Sequence, residues 1–338
     1  MKTYLAQRLV QMFFILLGVL TLTFLLSRVL PGSPVEMMLG HRPSVEQIEA
    51  ARAELGLDKP VAVQFLVYLR DLAQGDLGTS LRTGQPVTSD LFNRFGATFE
   101  LTTLALTIVI VVGIPLGVLS AVRQNTWPDH VVRTTSIAGM ALPVFLIAML
   151  MQMVFYGRLG WFPLQGRIDA EIALDFPFAQ RTGFYLVDSL LAGQWEAFKS
   201  AALHLVLPVV TLAMASMAVV TRITRNTMVE VLQQDHIRTL RAYGVGSRKV
   251  YYKYALKATL IPLLTVIGLA YGYMLGGSVV VEFIFDWPGM GGYAVGGITR
   301  NDFPAVMGAT LLLAVIYLSL NLVIDLLYHL VDPRLELK

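Results

Sequence analysis

Six long apolar runs constrain this 338-residue sequence more than any other feature. They lie near residues 9–30, 97–122, 134–157, 201–221, 258–281 and 305–330. Because an α-helix rises about 1.5 Å per residue, each run is long enough to cross the roughly 30 Å hydrocarbon core of a membrane. The runs are unbroken, which excludes a membrane β-barrel made of alternating segments of about ten residues. We therefore predict an all-α membrane protein with six transmembrane helices.

The charged residues are few and unevenly placed. They make up only 14% of the chain, whereas soluble proteins carry about a quarter, so an ordinary soluble enzyme is excluded. Segment 222–257, between the fourth and fifth runs, holds eight lysines and arginines against two acids. Segments 31–96 and 158–200 instead carry more acids than cations. Because positive loops stay in the cytoplasm, we predict that 222–257 and both termini are cytoplasmic and that the acidic segments face outward.

Residues 31–96 are predicted to form a helical extracytoplasmic elaboration. Ser44 and Gln47 have the spacing of a capping box, which starts a helix that stops at Gly56. Pro60 then suits the first turn of a second helix. The predicted division of the chain is an N-terminal segment with the first span (1–30), the extracytoplasmic segment (31–96) and a membrane domain with five spans (97–338).

The basic segment 222–257 carries the clearest pattern outside the spans. Its apolar residues recur at near-helical spacing, at Met228, Val231, Leu232, Ile237 and Leu240. This pattern predicts a short amphipathic helix, which Gly244 and Gly246 break before Ser247 caps a further helical stretch. Two interpretations remain open. The element is either a rigid knob that docks with a soluble partner or a basic helix that lies on anionic membrane lipid.

No pattern in the sequence predicts catalytic, cofactor-binding or metal-binding residues. There is no Gly-Lys pair, hence no P-loop, and neither an H-E-x-x-H nor a G-x-S-x-G motif. Cysteine is absent and the five histidines are scattered. The alternative function is a secondary transporter or channel, which usually places ionisable groups inside the membrane. Glu100 and Asp325 lie near the ends of predicted spans, where a paired charge is the simpler interpretation.

Small residues mark one face of the fifth span. Gly268, Gly272 and Gly276 recur every four residues, a spacing that lets another helix approach closely. Tight helix packing is the simpler interpretation. The alternative is that this span lines a transport pathway, with Tyr271 and Tyr273 offering aromatic faces and hydroxyl groups.

The resemblance to a known family is strongest in the basic segment. Residues 235–268 read DHIRTLRAYGVGSRKVYYKYALKATLIPLLTVIG, and this run resembles the EAA loop of permease subunits of ATP-binding-cassette (ABC) importers. It is most similar to B-type subunits of the dipeptide/oligopeptide-type family. Further motifs match that family at 31–34 (PGSP), 55–58 (LGLD), 75–78 (GDLG), 287–291 (WPGMG), 302–304 (DFP) and 332–334 (DPR).

The resemblance implies a non-catalytic importer subunit in a bacterial or archaeal inner membrane. Its implied partners are a homologous second permease, two ABC ATPase subunits that bind ATP and Mg, an extracytoplasmic solute-binding protein and membrane lipid, with no nucleic acid. ATP hydrolysis on the partner chains would drive alternating access. The implied cargo is a dipeptide or oligopeptide, although members of the family also carry nickel complexes, glutathione and opines.

The resemblance also implies which residues couple transport to ATP hydrolysis. In the family, the EAA loop supplies a coupling helix that docks in a groove of one ATPase. Carried over residue by residue, the coupling residues are Asp235, Ile237, Arg238, Thr239, Arg241, Ala242 and Gly244. The sequence departs from the family pattern where Leu240 replaces the usual alanine, where Tyr243 replaces a common lysine, and where Gly246 adds a second glycine.

Overall fold

Helices make up nearly all of the regular structure. The computed structural model describes residues 2–29, 44–54 and 56–331, and within these ranges strand pairing is limited to one isolated antiparallel bridge between Thr79 and Pro86. The helices are α1 (Lys2–Val29), α2 (Val45–Glu54), α3 (Val61–Ala73), α4 (Val87–Val122), α5 (Trp127–Ala141), α6 (Val144–Arg158), α7 (Ala170–Asp175), α8 (Tyr185–Leu191), α9 (Trp195–Leu232), α10 (Asp235–Ala242), α11 (247–258), α12 (Leu260–Ile284), α13 (Met290–Thr299) and α14 (Phe303–Val331). The predicted all-α fold is confirmed.

Five helices in the described ranges are long and apolar enough to cross a membrane, namely α1, α4, α9, α12 and α14. Helices α5 and α6 qualify only as a pair, which bends by 107°. Within the described residues, the span predicted over 134–157 is therefore present only as this bent pair. The cause is Pro143, which has no N–H to donate and holds Leu142 in an extended conformation (φ −87°, ψ 129°).

Helix α9 extends beyond both ends of the predicted span 201–221. It is 38 residues long and retains Pro208 in its interior. Its last turns are polar on one side only, because Met228 and Val231 stay buried on the other. This apolar stripe explains why the helix continues past the apolar run into the basic segment.

The chain forms two compact units, which are described separately. One contains Met1–Gly96 and Pro288–Leu318, and the other contains Ala97–Trp287 and Ser319–Lys338. The division into 1–30, 31–96 and 97–338 stays a prediction. The motifs at 31–34 and 332–334, and Leu55, lie outside the described residues.

The first unit bears out the local signals in segment 31–96. Ser44 and Gln47 form a reciprocal capping box, with Ser44 N donating to Gln47 Oε1 (2.9 Å) and Gln47 N to Ser44 Oγ (3.2 Å). Pro60 directly precedes α3.

Near the start of α14, the buried carboxylate of Asp302 accepts hydrogen bonds from Ser80 Oγ (2.5 Å) and Arg82 N (3.1 Å). These bonds hold the loop before α4 against the loop before α14.

The second unit is built around α9, which packs closely against α4. A Cβ on Gly117 would lie 2.5 Å from Thr224 Cβ, so only glycine permits this approach. One turn earlier in α4, the Gly113 carbonyl accepts a hydrogen bond from Thr221 Oγ1 (3.0 Å). Small residues thus bring the two backbones together, as is typical of membrane helix packing.

A buried ion pair anchors the segment after α6 to the same unit. Arg167 Nη2 lies 2.6 Å from Glu100 Oε2, and each side chain is only 5% exposed. The Glu100 carboxylate also accepts the backbone N–H groups of Tyr185 and Leu186 at the start of α8 (3.2 and 2.9 Å). Arg167 lies over the Tyr185 ring (3.6 Å) and donates to the Gly183 carbonyl (2.9 Å). Glu100 is therefore a paired charge.

We expect Glu100→Gln to destabilise the purified protein, because it leaves the Arg167 guanidinium buried without its counter-charge. Breaking a buried pair in this way costs about 3–5 kcal/mol. Thermal denaturation should give a clearly lower Tm. The control, Glu171→Gln, removes an exposed carboxylate from the segment after α6 and should leave Tm unchanged. Equal Tm values for the two variants would contradict a structural role for the pair.

Candidate functional site

The basic segment folds as two short helices after the long helix α9. Helix α9 ends at Leu232, Gln233 and Gln234 make a turn, and α10 then begins. The Gln234 carbonyl accepts the N–H groups of Ile237 (3.1 Å) and Arg238 (3.2 Å), which starts the new helix. The single amphipathic helix predicted over 228–240 is therefore wrong, because this turn interrupts it.

One face of α10 is buried in an apolar cluster. Ile237 is fully buried and packs in a cluster with Met228 and Val231 of α9, Val250 and Ala255 of α11, and Val118 and Ala121 of α4. Leu240 and Val245 are half-buried beside it. The cluster joins α10 to three neighbouring helices, so α10 is a fixed element and not a loose loop.

The opposite face of α10 is exposed and polar. The side chains of Asp235 and Arg238 are 95% and 71% exposed, and their ionic groups lie 3.3 Å apart. An exposed pair of this kind contributes little to stability. Thr239, Arg241, Ala242 and Gly244 are exposed as well. Of the seven coupling residues implied by the resemblance, only Ile237 faces the interior.

Gly244 ends α10 in a Schellman motif. Its φ of +74° lies in the left-handed region, which costs other residues about 1–2 kcal/mol. Gly244 N donates to the Arg241 carbonyl (3.0 Å), and Val245 N donates to the Leu240 carbonyl (3.1 Å). Tyr243 sits at the corner of this turn with 83% of its surface exposed. The turn thus presents an aromatic side chain on a defined backbone.

The second glycine and Ser247 have different roles from Gly244. Gly246 has ordinary extended angles (φ −60°, ψ 141°) and precedes α11 as its N-cap. The Ser247 cap is therefore a wrong prediction, since Ser247 is the first residue of the helix.

A surface groove of about 880 Å³ lies beside the start of α11, lined by Gly246, Ser247, Arg248, Lys249, Tyr252 and Lys253. Half of these lining residues are cations, so the groove favours an acidic surface.

The pathway residues of the fifth span occupy different environments. Gly268 packs against α14, where an added Cβ would clash with the Ile324 side chain. Tyr271 is buried, with its hydroxyl 3.3 Å from Thr102 Oγ1. Gly272 is half-buried, whereas Tyr273 is exposed. A Cβ on Gly276 would meet no atom within 4 Å.

Glu282 and Asp129 are among the buried carboxylates that the sequence analysis did not anticipate as structural features. Glu282 belongs to α12, is 1% exposed and accepts a hydrogen bond from Thr98 Oγ1 (2.7 Å). Asp129 in the first turn of α5 is fully buried and accepts hydrogen bonds from Arg225 Nε (2.6 Å) and Nη2 (2.8 Å). The apolar residues on both sides of Glu282 are a signal that the span continues past residue 281. Nothing local to Asp129 indicates a partner 96 residues away.

We expect Gly244→Ala to loosen the end of α10, because alanine pays the cost of the left-handed conformation. A cost of about 1–2 kcal/mol corresponds to about five- to thirtyfold faster amide exchange at Val245. Hydrogen-exchange mass spectrometry of peptides that cover 240–246 measures this. Gly246→Ala is the matched control, because its backbone angles suit any residue and an added Cβ meets no atom within 4 Å. Similar exchange in both variants would contradict the argument.

Comparison with known proteins places the whole sequence beside transport permeases. Residues 113–337 match the family described as binding-protein-dependent transport system inner membrane component, and residues 1–102 match the corresponding N-terminal family.

Individual relatives cover nearly the full length. A probable D,D-dipeptide transport system permease protein of Escherichia coli (strain K12) is 46% identical over 318 residues, which is 94% of this chain and 93% of the relative. A dipeptide transport system permease protein of Alkalihalophilus pseudofirmus is 39% identical over 340 residues (99% and 100%). A glutathione transport system permease protein of Pectobacterium atrosepticum is 36% identical over 338 residues (100% of both).

Proposed function

The chain belongs to the family of binding-protein-dependent transport system inner membrane components, and from this membership we propose that it moves short peptides by ATP-driven alternating access. It is a dipeptide-type ABC permease subunit and a multi-pass protein of the bacterial inner membrane. Beyond this family membership, the proposal specifies the energy source, the coupling element, the partners and the cargo.

The observation that carries the proposal is the position of α10 between two membrane helices. Ile237 packs against Met228 and Val231 at the end of α9 and against Val250 in α11, which leads into α12. A force applied to the exposed face of α10 is therefore transmitted to both α9 and α12. That exposed face consists of Asp235, Arg238, Thr239, Arg241, Ala242 and Gly244. This is the mechanical requirement for a coupling helix.

The charge of the segment supports a docking partner with an acidic groove. Arg238 and Arg241 lie on α10, and Arg248, Lys249 and Lys253 lie in the first turns of α11, where they line the basic groove. Basic loops are retained in the cytoplasm, so the proposed orientation places this face and both termini there. In the proposed complex, this chain would pair with a homologous second permease. Each permease would then bind one of two ABC ATPase subunits, which carry ATP and Mg.

The proposed cargo follows from the relatives. Dipeptides, D,D-dipeptides and glutathione are named for the three permeases described above, and what these compounds share is a short peptide backbone with charged ends. A solute-binding protein would deliver such a compound to the outer face. Among the pathway residues, Tyr271 offers a hydroxyl group within the fold, whereas the exposed Tyr273 is available to a second permease.

Secondary transport is the second candidate function, because Glu282 is a carboxylate buried in α12. Buried acids of this kind serve as proton carriers in ion-coupled transporters. Glu100 does not suit that role, since it is bound to Arg167 and two backbone amides.

The two functions are separated by uptake of a radiolabelled dipeptide into proteoliposomes that contain the complete complex. We expect uptake only when ATP is present on the ATPase side and the solute-binding protein on the opposite side. Uptake driven by a proton or sodium gradient without ATP would overturn the proposal and favour Glu282-based transport.

Gly244→Pro tests the coupling element in the same assay. Proline cannot adopt a φ of +74° and has no N–H for the Arg241 carbonyl, so we expect uptake and binding-protein-stimulated ATP hydrolysis to be lost together. Insertion into the membrane, checked by membrane fractionation, should persist because Gly244 lies outside the predicted spans. Gly246→Ala is the control and should transport normally. Normal uptake and normal ATPase stimulation in Gly244→Pro would refute the coupling role.

A further inference from the structure

A basic cavity lies between α5 and α9, away from α10. Its volume is about 260 Å³, and its lining includes Arg133, Ser136, Ile137, Thr221, Arg222 and Arg225. Arg133 directly precedes the apolar run 134–157, and Arg222 directly follows the apolar run 201–221. The cavity therefore sits at the depth where two membrane segments meet the aqueous phase, which is the depth of lipid headgroups.

Within the described residues, only one of the three arginines that line the cavity is neutralised by an ion pair. Arg225 forms a bidentate pair with Asp129, whose carboxylate also accepts Ser120 Oγ (2.5 Å) and Asn125 N (2.9 Å). Asp129 is fully buried by these contacts. Arg133 and Arg222 are exposed and make no ion pair within the described part of the chain.

The cavity thus contains two guanidinium groups, those of Arg133 and Arg222, that make no ion pair within the described residues. No acid is among the described side chains that line it. Arginine binds phosphate oxygens with two parallel N–H donors, which gives charge-assisted hydrogen bonds. The charge of the cavity therefore selects a phosphate-type anion.

The surface beside the cavity is apolar, and this favours a lipid over a free phosphate anion as the ligand. Ile137 lines the cavity with 63% of its surface exposed, and Met140 is exposed one turn further along α5. Trp127, at the other end of α5, is 77% exposed, and tryptophan is typical of membrane interfaces. A phospholipid has both parts that this surface requires, a phosphate for the arginines and an acyl chain for the apolar face.

We propose that this cavity binds the headgroup phosphate of an anionic glycerophospholipid, held between Arg133 of α5 and Arg222 of α9. Basic pockets between transmembrane helices bind such headgroups in other membrane proteins. The bound phosphate bridges two helices that are already joined by the Asp129–Arg225 pair. The site is independent of the coupling element, since α10 contributes none of its lining residues.

Native mass spectrometry of the assembled, delipidated complex tests the site by titration with phosphatidylglycerol, cardiolipin, phosphatidylcholine or inorganic phosphate. We expect saturable binding of the two anionic lipids. Each arginine contributes about 1 kcal/mol to attraction near a membrane surface, so Arg133→Gln with Arg222→Gln should weaken that binding about thirtyfold. Arg133→Lys with Arg222→Lys, which keeps the charge, should retain most of it.

The matched control is Arg123→Gln with Lys257→Gln, which removes two exposed cations of the same unit from outside the cavity. This control should bind the anionic lipids as the wild type does. The proposal is overturned if the double Gln variant and the control bind equally, if phosphatidylcholine binds as tightly, or if inorganic phosphate competes as well as the lipid. Co-purification of the partner chains and an unchanged Tm verify that each variant is folded and assembled.

Discussion

The absence of hydrogen-bonding partners in hydrocarbon is the constraint on which this structure depends. A backbone polar group that faces lipid must be satisfied within its own segment, which restricts the lipid-exposed spanning segments to helices. The same constraint applies to side chains, and the buried carboxylates meet it in different ways. Glu100 is satisfied by Arg167 and the start of α8, and Asp129 by Arg225 and Ser120. The contacts with Arg167, with α8 and with Arg225 also join segments that are distant in sequence, so the bonds that satisfy these buried charges also hold the helices together.

The features that were predicted correctly from the sequence are those set by local chemistry. Hydropathy located every apolar segment, because burial in lipid requires an uninterrupted run of apolar residues. The capping box at Ser44 and Gln47 and the helix break at Gly244 were also found, since each depends on residues within one turn. The assignment of α10 as the coupling element rests on the basic composition of its segment and on the resemblance to a known loop, and it stays a prediction.

The features that were missed depend on tertiary neighbours. The extension of α9 is stabilised by the packing of Met228 and Val231 against α4, α10 and α11, which hydropathy does not reveal. The Asp129–Arg225 pair joins residues that are far apart along the chain. Glu282 directly follows the predicted apolar run 258–281, yet the helix continues past it. In each case the side chain is accommodated by a partner that only folding supplies.

The bend between α5 and α6 has a consequence for what surrounds it. A helix leaves its last four carbonyls and its first four amides without partners in its own ladder, and here two such ends meet inside an apolar run. Leu142 and Pro143 at the corner are exposed on this chain. Lipid acyl chains cannot hydrogen-bond to unpaired backbone groups, so the corner should lie against another subunit or a water-filled cavity. The side of the protein that carries the bend therefore does not face bulk lipid.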